Sequence, residues 1–474
     1  MKKIRNIGCL LLLLWLAVWT KPLQATRIEG TALFAKNKTL RLYTYDDMLS
    51  RNRELLTVAE VDGNGLFSVN LPNIREITML TFAYNLTYGS FYVEPNRSYV
   101  VDLYTDSNLI NRVDAEMLGN YIQITILNND SAELNWKINY FDQYYTYFMY
   151  YNGTAIMRHA PKEIYDSLLQ VIESRFPVPD QPVDFYDVYV KYRIGIMESM
   201  YYDKSKSKIY HKYLETPYVY YNNPAYMDFI GLFFEDYLYS GSKKITKGIL
   251  YQDINELNNY AKLLDDLGKD PLLQNEIIRE IVLIKGLGEL KAYPEEFKKG
   301  NLESLLNALS QKTKFKEHRM LATNQLKSFQ LMNPQGKLIP FTLTDEKGNE
   351  VTSSQFAGKY LYIQFFATYC QDCIREMLIL KYLKSQFGDK VQFLSVMLDF
   401  EPMKLYHFVK DYPDFDWQFA KIDGNCEFLE QYHLYTLPLG LLADPDGRIV
   451  AFPAPSASDG LGELFQKIFL INRK

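Results

Sequence analysis

Cysteine is scarce in this chain, with four residues in 474. One of them, Cys9, lies inside an N-terminal apolar run, so three thiols remain for the folded protein and at most one pair can close within it. That argues against a disulfide-stapled scaffold and in favour of a single working pair. Catalytic signatures are equally sparse. No Ser-His-Asp constellation, HExxH zinc motif, P-loop or dinucleotide fingerprint occurs, and the glycine pair Gly286-Leu-Gly288 lies in a helical run without a lysine-serine pair. No cofactor, flavin and nicotinamide included, is implied. Positive charge is also in deficit, with a formal net charge of −5. Nucleic acid is therefore not an expected partner.

What is present at the N-terminus is a leader pattern. Lys2, Lys3 and Arg5 precede the apolar run from Ile7 to Trp19, and Leu23-Gln-Ala25 offers a small residue for cleavage. The run is shorter than the roughly 20 apolar residues that cross a bilayer, so residues 1–25 read as a secretory signal peptide, with an uncleaved anchor as the rival. Cys9 is followed by five leucines and lacks the setting of a lipid-modified cysteine. Removal of residues 1–25 takes away Lys2, Lys3, Arg5 and Lys21 and no acidic residue, moving the charge from −5 to −9.

About 450 mature residues exceed one core, and the pattern changes twice along them. Residues 26–112 carry seven short alternating runs, among them TLRLYTY, LFSVNL and SYVVDLY, with Asp62-Gly-Asn-Gly65 between two of them. This predicts a small all-β antiparallel sandwich. Residues 113–330 switch to helical period, as in AELNWKINYFDQYYTYFMYY and KEIYDSLLQVIESRF, and predict an all-α domain. Many of the 39 tyrosines fall there. Rings at helical spacing indicate core and interdomain packing, with a partner surface as the alternative.

Residues 331–474 hold the chemistry. The apolar strand YLYIQFF leads into Cys370-Gln-Asp-Cys373, which opens the helical run IREMLILKYLKSQF. A helix N-terminus carries partial positive charge and unpaired N–H groups, so it stabilises a thiolate on Cys370. The strand VQFLSVMLDF, a helix near 402–410, WQFAKI, a short helix around Cys426 to Tyr432, the loop to Pro438, a hairpin of LGLLAD and RIVAF, and a final helix from Leu461 follow. That order is an α/β thioredoxin-like plan.

The stretch KLIPFTLTDEKGNEVTSSQFAGKYLYIQFFATYCQDC resembles the start of the exported TlpA/ResA-like thiol-disulfide oxidoreductases, and Leu437-Pro438 and LADPDGRIV extend the likeness over residues 335–470. The whole layout is similar to an arrangement in Gram-negative gut bacteria, which places the mature protein in the periplasm. The resemblance implies that Cys370 attacks and Cys373 resolves. It makes Pro438 a cis-proline that sets the Leu437 backbone beside the thiols, where an extended client strand could pair, with Tyr369 flanking the site. Glu376 matches a family glutamate that could take the proton of Cys373. Gln364 stands where thioredoxin keeps a buried aspartate and cannot act as a base. Departures are Phe366 and Tyr369 in place of tryptophans, no proline between the cysteines, and Leu439 rather than threonine after Pro438.

Asp372 between the cysteines opposes thiolate formation on Cys370, which points to a reductase or isomerase of protein disulfides, fed by an exported or membrane thiol protein. Cys426 reads as a small core residue. Two other classes are weighed: a copper or zinc carrier using Cys370, Cys373 and His433, and a protein-binding scaffold built on the tyrosine-rich insert.

Overall fold

The computed structural model describes residues 26–71, 74–84, 87–105, 122–157, 161–201, 205–242, 244–331, 336–368, 370–399, 403–422, 432 and 437–471. Alternation of apolar and polar residues builds the first region. In β4 (Leu66–Leu71), Phe67, Val69 and Leu71 turn inward while Ser68 and Asn70 face out. It is joined by β1 (Thr26–Thr31), β2 (Thr39–Tyr45), β3 (Arg53–Glu60), β5 (Thr78–Tyr84), β6 (Thr87–Val93), β7 (Ser98–Tyr104) and β8 (Gln123–Ile126). Two four-stranded sheets form, in the orders β4-β1-β7-β8 and β3-β2-β5-β6. One cluster between them takes residues from every strand, among them Ile28, Leu42, Ala59, Phe82, Val101 and Ile126. Asp62 makes the turn into β4, its Oδ1 accepting from the N–H groups of Asn64 and Leu66 at 2.8 Å each. The Leu66 N–H foremost holds the Asp62 carboxyl below its ordinary range. Gly65 completes the turn at φ +87°.

Two expectations need correction. The sheets are not wholly antiparallel, because β1 runs parallel to β7. Alternation says which face of a strand is buried and leaves its partner open. The β region also passes residue 112, since β8 pairs with β7. Its signal is only the inward set Ile122, Ile124 and Ile126, too short to stand out from the helical runs that follow.

Central in its sheet, β1 passes very close to β7 at one point. A Cβ on Gly30 would meet the carbonyl oxygen of Val101 at 1.9 Å. Backbone cannot swing aside as a flexible side chain can, so Gly30→Ala is expected to destabilise the protein by about 2 kcal/mol. A lowered midpoint in urea unfolding with unchanged slope is the check.

The middle region is helical: α1 (Leu134–Met157), α2 (Lys162–Arg175), α3 (Phe185–Ser199), α4 (Lys206–Tyr213), α5 (Pro224–Phe233), α6 (Lys247–Tyr251), α7 (Tyr260–Leu267), α8 (Glu276–Glu289), α9 (Lys299–Lys312) and α10 (Lys316–Leu331). Starts are set by side-chain caps from Asp184, Ser205, Asn223, Thr246, Asn259 and Asn275. Tyr165, Tyr192, Tyr213, Tyr226 and Tyr237 are buried in one core, and three of their hydroxyls donate to buried acceptors: Tyr192 to the Tyr213 carbonyl at 2.8 Å, Tyr213 to Glu198 at 2.9 Å and Tyr237 to Asp270 at 2.9 Å. Tyr147, Tyr150 and Tyr151 of α1 stay exposed. Met48 and Tyr92 of the β region belong to the helical core, and Arg51 pairs with Asp228 at 2.6 Å, so the two regions share an interface.

The third region is a seven-stranded sheet in the order β10-β9-β13-β12-β11-β14-β15. Its strands are β9 (Thr342–Thr344), β10 (Glu350–Thr352), β11 (Tyr360–Phe366), β12 (Val391–Met397), β13 (Gln418–Lys421), β14 (Leu439–Ala443) and β15 (Ile449–Ala454). Its helices are α11 (Gln371–Phe387), α12 (Lys404–Asp411) and α13 (Leu461–Ile471). β11, β12 and β13 are parallel and linked through α11 and α12, while β14 returns antiparallel to β11. This is the thioredoxin-like plan. The continuous apolar run of β11 follows from burial on both faces: Leu361, Ile363 and Phe365 enter one cluster, and Tyr362 and Phe366 meet α11 on the other side. The clusters of this region draw every member from Leu338 onward. The short helix expected around Cys426 lies outside the described residues.

Candidate active site

The end of β11 delivers the chain to the cysteines through Ala367 and Thr368. Asp399, just past β12 and 1% exposed, fixes that delivery. Its carboxylate accepts from the Thr368 N–H at 2.7 Å and the Thr368 hydroxyl at 3.1 Å, and Lys404 of α12 neutralises it at 3.1 Å. Cys370 then occupies the N-cap of α11, with non-helical φ −83° and ψ 95°, and its sulfur accepts from the Cys373 N–H at 3.1 Å. Cys370 and Cys373 are joined as a disulfide, their Cα atoms 5.3 Å apart.

The two sulfurs live in different surroundings. Cys370 is half-buried, whereas Cys373 is 0% exposed and packs in a cluster with Phe366, Met377, Met397, Phe408 and Phe419. Leu437 lies against that same cluster, and the Leu437–Pro438 peptide is cis. The chain thus brings together Cys370, Cys373, Leu437 and the peptide of Pro438. Tyr369, Cys426 and His433 lie outside the described residues. Among the described residues no group of three His, Cys, Asp or Glu side chains could hold a metal ion.

Glu376 is one turn beyond Cys373 and half-buried. Both of its oxygens are engaged by Ser458, one by the backbone N–H at 3.0 Å and the other by the hydroxyl. Burial pushes the Tyr362 phenol up, and the charge of Glu376 adds to it. Asp372 forms an exposed ion pair with Arg375, which offsets much of the negative charge expected beside Cys370.

Gln364 is buried under the cysteine helix. Its Nε2 donates to the Cys373 carbonyl at 3.3 Å, its Oε1 accepts from the Ser395 hydroxyl at 3.5 Å, and the Trp417 indole N–H donates to Ser395 at 2.9 Å. A neutral chain of donors thus ends on the backbone of the buried cysteine. Asp399, Thr368, Ser395, Trp417 and Ser458 were not singled out by sequence reasoning. Asp399 carried a usable signal, an acidic residue directly after a buried strand facing the one that ends at the cysteines.

Comparison with protein-family models matches residues 334–458 to Redoxin. These residues form a Redoxin domain. The thiol-disulfide oxidoreductase ResA of Bacillus thuringiensis subsp. konkukian is 29% identical over 137 residues, which is 28% of this chain and 78% of the relative. ResA of Bacillus subtilis strain 168 is 27% identical over 115 residues, 23% of this chain and 61% of that protein. Among solved structures, a thiol-disulfide oxidoreductase from Bacteroides fragilis NCTC 9343 is similar at 22% identity, over 28% of this chain and all of its own (100%), with a TM-score of 0.26. A thioredoxin-like protein from Bacteroides caccae ATCC 43185 is similar at 17% identity, over 50% of this chain and 87% of its own, with a TM-score of 0.34.

Proposed function

We propose that this Redoxin-domain protein is exported to the periplasm and reduces or isomerises disulfides of client proteins through Cys370 and Cys373. The observation that carries the reading is the asymmetry of the pair: a half-buried sulfur at a helix N-cap, and a fully buried one directly behind it. The helix end favours a thiolate on Cys370, the sulfur within reach of a client. Cys370 attacks the client disulfide, giving a mixed disulfide and a client thiolate. Cys373 then attacks Cys370, its proton leaves, and the second client sulfur departs reduced. The pair ends as the disulfide seen here and is returned to the dithiol by an exported or membrane thiol donor. Leu437 and Pro438 border the place where a client strand would lie, and Tyr369, next to Cys370 in the chain, is a further candidate contact.

Glu376 is the proposed acceptor of the Cys373 proton, releasing Ser458 as it does so. Glu376→Gln keeps an oxygen for Ser458 but cannot take a proton. Resolution of the mixed disulfide is expected to slow by about 10²-fold, at the low end of general-base effects, with the first attack unchanged. Stopped-flow separation of the two steps on a model disulfide protein tests this, and equal slowing of both steps would remove Glu376 from the mechanism. The function itself is tested by reduction of a protein disulfide by the dithiol form of the mature chain.

A further inference from the structure

The two sheets of the N-terminal region end in edge strands that, among the described residues, pair with no further strand. β6 closes one sheet and β8 the other. They meet at one point, where the Ile122 N–H donates to the Tyr88 carbonyl at 3.0 Å, and then diverge. A cavity of about 580 Å³ opens between them, walled on its third side by α1 and lying in the size range of ligand pockets, roughly 300–1,000 Å³.

Strand alternation fixes which backbone groups face this gap. In β8 the odd residues pair toward β7, as shown by Leu127 donating to the Val100 carbonyl at 2.7 Å. Ile124 and Ile126 therefore turn their N–H and C=O groups outward. In β6, Tyr88 and Tyr92 face outward, so Ser90 between them does as well. None of the main-chain groups of Ser90, Ile124 and Ile126 that face the gap has a backbone partner among the described residues. Tyr92 shows what satisfies such a position. The Asn135 carboxamide accepts from its N–H at 2.6 Å and donates to its carbonyl at 2.8 Å, the bonding pattern of one peptide unit in a neighbouring strand.

We propose that this gap binds an extended polypeptide segment of a client protein, which adds as a strand along β8 and pairs with Ile124 and Ile126 in the way that Asn135 pairs with Tyr92 on the opposite edge. Donors and acceptors recurring at strand spacing select a peptide backbone over other polar ligands. Trp136, 41% exposed and stacked on Tyr140 with centroids 5.5 Å apart, offers a ring surface for a side chain of that segment at the mouth. The mature charge of −9 favours segments bearing lysine. The proposal rests on the reading of the chain as acting on protein disulfides and names how it would hold an unfolded client.

The test uses the mature protein carrying Cys370→Ser and Cys373→Ser, so that binding is read without redox chemistry and a failure of either proposal is told from the other. The probe is a cysteine-free, fluorescein-labelled Thr-Val repeat of ten residues with lysines at both ends, followed by fluorescence anisotropy. Saturable binding is expected, weakened at least tenfold when alternate amides of the peptide are N-methylated and at least threefold by Trp136→Ala. Equal binding of the methylated peptide, or no binding at millimolar peptide, overturns the proposal. So does a deletion of residues 108–119 that abolishes binding, which would place the peptide on that segment, or a dimer in sedimentation that excess peptide leaves intact.

Discussion

Cys370→Ser is expected to remove protein-disulfide reduction by at least 10³-fold, because the attacking sulfur is gone and Cys373, 0% exposed, cannot meet a client in its place. The change is small in volume at a half-buried helix cap, and serine is a good cap residue, so the fold should survive it. Cys373→Ser should behave differently. Attack by Cys370 proceeds, but the resolving sulfur is missing, and the protein accumulates as a mixed disulfide with its client. Mass spectrometry under non-reducing conditions distinguishes the two variants. Equal activity of Cys370→Ser and the natural chain would refute the assignment, and accumulation of the mixed disulfide in Cys370→Ser rather than Cys373→Ser would reverse the roles.

The second large effect is expected at a residue that touches no sulfur. Asp399→Ala removes a buried carboxylate, leaving the Thr368 N–H and hydroxyl without that acceptor and breaking the ion pair with Lys404. Breaking a buried pair costs about 3–5 kcal/mol, and Lys404, about a third exposed, can turn to water, so about 3 kcal/mol is the expected loss. Because Thr368 leads into Cys370, the approach to the helix cap should loosen too. Chemical denaturation reads the stability, and the alkylation rate of Cys370 in the reduced protein reads the local effect. Asp399→Asn keeps one acceptor for Thr368 and should recover part of both. A loss of stability with unchanged alkylation would mean that Asp399 supports the fold without positioning the thiol.

Much of the C-terminal domain was legible because its signals are local and strong. A seven-residue apolar strand, two cysteines at helix-start spacing, and a proline before the next strand each constrain the backbone within a few residues. The partners that hold the site were not legible, for a common reason. Asp399 is 31 positions from Thr368, and Ser458 is 82 from Glu376, so only the sheet order brings them together. The same reason explains β8, whose four residues acquire meaning only by pairing with β7. Asp372 shows the limit of reading a charge alone, since Arg375 one turn on compensates it.

The most direct test is the reduction potential of the Cys370/Cys373 couple in the protein lacking residues 1–25, equilibrated with defined thiol buffers and read by trapping free thiols. A reversible two-electron couple well below the strongly oxidising potential of about −120 mV is predicted for a reductase or isomerase. A couple near about −120 mV would make the protein an oxidant, and no reversible couple at all would contradict the assignment of Cys370 and Cys373 as its working pair.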